Sequence, residues 1–166
     1  MAKRFPCKPV DMTFFESAPH RYVAELVFGV PAQMVFASLE SAEDWPRWAP
    51  PIRRVEWTSE RPFGIGTTRT VYMIGGMTGY EEFIAWEAGR EMAFCFTHCS
   101  RNNVEAFAER YQIEALGADQ CRVRWTMAMR PKGLGRYFLP VFSPLMGFGV
   151  KTMLARFKRL LESRAT

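Results

Sequence analysis

The chain has 166 residues and a formal net charge of +5, with 48% hydrophobic and 23% charged residues. These values exclude a disordered chain and fit one soluble globular domain with a full core. The cations are spread out, at Lys3, Arg4 and Lys8, at Arg53 and Arg54, and at Lys151, Arg156, Lys158 and Arg159. That spread excludes a phosphate-tracking stripe, so no nucleic-acid partner is expected.

Residues 1–19 read as an irregular N-terminal arm punctuated by Pro6, Pro9 and Pro19, with Phe14 and Phe15 available to pin it down. Pro6, Lys8, Pro9 and Asp11 interrupt any continuous apolar segment, so no signal peptide is expected and the location is read as cytoplasmic. Residues 20–166 read as a single domain. A first strand runs from about His20 to Val30. Pro31, tolerated in a first helical turn, opens a helix to about Leu39. Ser41 to Asp44 reads as a second short helix. It runs into Trp45-Pro46-Arg47-Trp48-Ala49-Pro50-Pro51, where three prolines argue against regular structure.

Six strands follow in succession: Ile52–Ser59, Thr67–Ile74, Thr78–Glu87, Glu91–Cys99, Val104–Ala115 and Gln120–Arg130. The turns between them carry Gly64 and Gly66, Gly75-Gly76, Gly89, Asn102-Asn103 and Gly117, which is the pattern of an antiparallel meander. After Pro131 the chain is helical, firmly so from Leu145 to Glu162, with Phe148, Met153, Phe157, Leu160 and Leu161 on one side and cations on the other. Arg136, Pro140, Pro144 and Lys151 break the most apolar stretch, so no stable membrane insertion is expected. Cys7, Cys95, Cys99 and Cys121 match no zinc spacing and read as reduced thiols, Cys95 and Cys99 buried on one strand face, with no metal or cofactor expected.

Strand alternation then assigns faces. The inward sets are Val123, Trp125, Met127 and Met129; Phe107, Glu109, Tyr111 and Ile113; Met92, Phe94, Phe96 and His98; and Tyr80, Glu82, Ile84 and Trp86, the last set weakened by Phe83. One long helix over a curved seven-stranded sheet leaves space between them. Polar groups inside an aromatic concavity mark a ligand site. The expected lining is Tyr80, Glu82, Phe94, Phe96, His98, Phe107, Glu109, Tyr111, Trp125, Met127 and Met153. Glu82, His98, Glu109 and Tyr111 are the candidates for acid–base work. Alternatively, Glu82 pairs with Arg69, Glu109 pairs with Arg110 or Arg124, and His98 sits at a strand end.

Three stretches carry a family resemblance: Val30-Pro31-Ala32-Gln33-Met34-Val35-Phe36-Ala37-Ser38-Leu39, the Trp45-to-Val55 segment, and Gly64-Ile65-Gly66-Thr67-Thr68-Arg69 with Glu82-Phe83-Ile84-Ala85-Trp86-Glu87. Over residues 20–163 the chain resembles the helix-grip superfamily of START lipid-transfer domains and polyketide cyclase/dehydrase proteins. The resemblance implies an α+β helix-grip fold. In it a curved seven-stranded antiparallel sheet wraps a long C-terminal helix, with two short helices after the first strand. It also implies binding or transport of a hydrophobic small molecule, with a cofactor-independent cyclase, dehydratase or isomerase as the alternative. No catalytic set carries over residue by residue. Tyr137 to Phe142, beside Lys132 and Arg136, either dips into a bilayer interface or, the preferred reading, caps the cavity mouth or forms a dimer contact.

Overall fold

Strands joined by links of only a few residues pair with their sequence neighbours, because so short a connection leaves little other geometry. The structure, a computed structural model, describes residues 3–165 except for the side chains of Phe138 and Leu139. The meander comprises β3 (Ile52–Trp57), β4 (Thr68–Met73), β5 (Thr78–Glu87), β6 (Glu91–Cys99), β7 (Val104–Gly117) and β8 (Gln120–Pro131). β2 (His20–Phe28) pairs with β8 along its whole length, from His20 opposite Met129 to Phe28 opposite Cys121. The antiparallel order is therefore β2-β8-β7-β6-β5-β4-β3.

The inner face is covered by three helices. α2 (Ala32–Glu40) and α3 (Trp45–Trp48) connect the two sheet edges, and α4 (Gly135–Ala165) lies against β2, β8 and α3. α3 falls one turn later than its expected place at Ser41–Asp44. Pro46 sits in its first turn, where a missing amide hydrogen costs nothing. The one turn of helix brings Trp45 and Trp48 together into the core, with ring centroids 5.0 Å apart. Val150, Leu154, Phe157 and Leu161 form the buried side of α4, each at most 1% exposed. Burying such side chains contributes about 1.5–3 kcal/mol apiece. Two tethers hold the C-terminal end of α4. Arg164 donates to both carboxylate oxygens of Asp44 at 2.8 and 2.6 Å, and the Gly29 amide donates to Glu162 Oε1 at 2.7 Å.

The N-terminal segment is more ordered than its prolines suggest. β1 (Phe5–Pro6) pairs with the end of β6, where β6 and β7 have diverged. The Cys7 amide donates to Thr97 and that of Lys8 to Glu105. α1 (Phe14–Ser17) then lays Phe14 and Phe15 on the outer sheet face, against Ala93, Cys95, Ala106, Ala108 and Ala128. Those small residues let the helix approach closely, so this sheet is covered on part of both faces.

Candidate functional site

Two bulges decide which polar side chains reach the interior. Between Tyr80 and Glu81 the β5–β6 register shifts by one, because Thr97 is an extra residue on β6. Between Phe83 and Ala85 it shifts back, with Ile84 extra on β5. A one-residue shift exchanges the faces. The inward residues of β5 are therefore Glu81 and Phe83, with Trp86 beyond the second bulge packed against the core. Those of β6 are Met92, Phe94 and Phe96, followed by Cys99.

The consequence is a correction at three of the expected lining positions. Glu82 is exposed and stands opposite Cys95. His98 is exposed, and Tyr80 lies beside it at 6.5 Å between ring centroids, covered by the guanidinium of Arg4 at 4.1 Å. Neither Glu82, His98 nor Tyr80 lines the interior cavity. Phe94, Phe96, Phe107, Glu109, Trp125, Met127 and Met153 do line it. Tyr111 is a fourth expected lining residue that does not line it, being fully buried behind the wall and stacked on Trp125 at 5.4 Å.

The cavity measures about 530 Å³ and lies between the sheet, α3 and the middle of α4. That is the size of a small-molecule site. Its wall is aromatic and methionine-rich, including Trp45, Trp48, Met73, Met77, Met129 and Met146. Three charged side chains interrupt it on the sheet side: Arg69, Glu81 and Glu109.

Arg69 and Glu81 face each other directly across β4 and β5. Arg69 Nε donates to Glu81 Oε2 at 2.5 Å, with the two side chains 0% and 4% exposed. The guanidinium is caged by rings, 4.3 Å from the Trp45 centroid, 4.4 Å from Phe94 and 5.0 Å from Phe83. Cation–π attraction is strongest for such a desolvated cation. Yet Arg69 Nη1 and Nη2 have no hydrogen-bond partner among the described residues, and neither has Trp48 Nε1. A buried donor left unpaired costs about 1–3 kcal/mol. A folded chain retains such a cost mainly where something else meets it.

Glu109 is the third charged group. Tyr111 Oη and Trp125 Nε1 both donate to its Oε2, at 2.6 and 3.1 Å. Burial pushes its carboxyl up to about 7, the neighbouring Glu81 adds to the rise, and the two hydrogen bonds and Arg69 oppose it. Burial also raises Glu81, against the pull of Arg69. Burial and the adjacent Glu109 keep the Tyr111 phenol protonated. The wall thus offers strong donors from Arg69 and a carboxyl that exchanges its proton near neutrality.

Arg69 and Glu81 were absent from the expected lining. The alternation of β4 carried the signal for Arg69, which shares a face with Val71 and Met73. For Glu81 the signal was only Phe83 on the same face, set against Trp86 by the Ile84 bulge, which has no sequence mark.

Relatives and neighbours agree with this architecture. A protein of Mycobacterium tuberculosis described only as uncharacterised is 41% identical over 160 residues, covering 96% of this chain and 95% of that one. A START superfamily protein from Mycobacterium smegmatis superposes with a TM-score of 0.70 at 13% identity, covering 87% of this chain and 98% of its own. The Zhui aromatase/cyclase of a Streptomyces species gives 0.69 at 15% identity, covering 89% and 96%. At those identities the two structures show a shared fold. The family described as polyketide cyclase/dehydrase and lipid transport matches residues 19–162, and with that span matched, this chain belongs to it.

Proposed function

We propose that the chain binds an apolar small molecule bearing a neutral oxygen, such as a ketone, ester or alcohol, with the oxygen on Arg69. The observation that carries this reading is the caged guanidinium, with two unpartnered Nη atoms, in the wall of a mostly apolar cavity. The apolar body gains about 25 cal/mol for each Å² withdrawn from water. The oxygen accepts from a donor that otherwise goes unpaired. A neutral head suits the site better than a carboxylate. Arg69 and Glu81 already balance each other, and Glu109 adds negative charge as it ionises.

Trp45, Trp48 and Trp125 line the cavity, so tryptophan emission reports occupancy. Titration with decanol is expected to shift that emission at lower concentration than titration with decane. Equal response to both, or to neither, would sink the proposal.

Glu109 favours a second reading on the same wall. A carboxyl that holds its proton to about 7 can act as a general acid or base on a bound carbonyl compound. Glu109→Gln separates the two. A carrier keeps its affinity for decanol, whereas an acid–base enzyme loses turnover by about 100-fold to 10,000-fold.

A further inference from the structure

The first half of α4 presents an apolar face to the outside. Tyr137, Val141, Leu145 and Phe148 recur at steps of four, four and three, which places them on one side of the helix. Each is more than half exposed, as are Leu134 and Phe142. Of the Tyr137–Phe142 segment expected to cap the cavity mouth, Tyr137, Val141 and Phe142 are exposed and do not line the cavity, and the side chains of Phe138 and Leu139 lie outside the described residues. A contiguous exposed apolar surface of this kind marks an interface.

Charge identifies what the interface meets. Six of the 22 cations and none of the 17 acids lie in residues 132–161, so that segment carries +6 and the rest of the chain a net −1. Lys132 and Arg136 flank the stripe at one end, and Lys151, Arg156 and Arg159 at the other, all exposed. From the geometry we infer that this face docks on a bilayer surface carrying anionic lipid. An apolar stripe rimmed by cations lies in the headgroup boundary with its cations on lipid phosphates. A second copy of the chain would bring two cationic faces together, which charge repulsion opposes. No helix among the described residues is long and apolar enough to cross a membrane, so the contact is interfacial.

The same face borders the cavity. Leu145, Phe148, Thr152 and Arg156, with Pro50 and Pro51 of the neighbouring loop, are exposed and also line it. A docked α4 therefore opens the cavity mouth onto the acyl region. Exchange of ligand with the bilayer rests on the proposed ligand binding, whereas docking does not.

Vesicle flotation tests the docking. The full chain is expected to float with vesicles of phosphatidylcholine and phosphatidylglycerol, to float less as salt rises, and to stay behind with pure phosphatidylcholine. Val141→Asp combined with Phe142→Asp, both outside the cavity wall, lowers partitioning more than about tenfold. Lys151→Gln lowers it about fivefold. No flotation with anionic vesicles overturns the inference. So does flotation that the double variant retains, or a dimer in sedimentation that the double variant abolishes without any vesicle binding. The decanol titration of the double variant keeps the two proposals apart. A normal emission shift with lost flotation leaves ligand binding standing, and the converse leaves docking standing.

Discussion

Arg69→Met is expected to destabilise the chain by about 3–5 kcal/mol, the cost of leaving one member of a buried ion pair alone. Glu81 is 4% exposed and its ion-pair partner among the described residues is Arg69, so removing the cation strands a buried carboxylate. Adding Glu81→Met removes the stranded charge and is expected to restore most of the loss, because an apolar pair of similar volume packs in the same cage. Urea unfolding of the two single variants and the double variant measures this cycle. Recovered stability with lost decanol response separates the binding role of Arg69 from its structural one. If the double variant stays as unstable as Arg69→Met, the pair does not act as the unit described.

Glu109→Gln is expected to raise stability at alkaline pH by about 3 kcal/mol, the equivalent of a carboxyl moved from its ordinary value near 4.5 up to about 7. The sign follows from proton counting. Between those values the folded chain holds a proton that the unfolded chain has released, so stability falls as pH rises through that window. The loss is complete above about 7, and absent below the ordinary carboxyl value. Glutamine keeps the shape and an oxygen to accept from Tyr111 and Trp125, without the charge. Unfolding free energies of wild type and variant are therefore expected to converge in acid and diverge in base. A constant difference at all pH values would show that Glu109 titrates normally.

The fold was legible because its strands are regular where they pair regularly. The ends of β5 and β6 fall at Glu87, Glu91 and Cys99, where glycine turns and charged residues marked them. Inward sets on β7 and β8 were equally plain, since no bulge interrupts their pairing between Ala106 and Ala115. The candidate site was legible only in part. Glu109 and its aromatic neighbours sit on those regular strands. His98 sits next to the Thr97 bulge on β6, which turned it outward, and the Ile84 bulge on β5 turned Glu82 outward and brought Glu81 in. Alternation counts residues and cannot see an extra one. The helix at Trp45–Trp48 was hidden for a related reason. Its prolines argue against a long helix but permit one turn, and that turn is what stations Trp48 against Phe157 at 4.6 Å. The arm on the outer face left a fainter signal in Ala93, Ala106, Ala108 and Ala128, small residues where a solvated face has no need of them.

The most direct test of the cavity's role is a native mass spectrum of the protein equilibrated with decane, decanol and decanoate together. The predicted spectrum shows one adduct per chain, decanol foremost, absent from the Arg69→Met/Glu81→Met variant. A spectrum with no adduct, or with decane bound as fully as decanol, would contradict an apolar cavity that selects its ligand through Arg69.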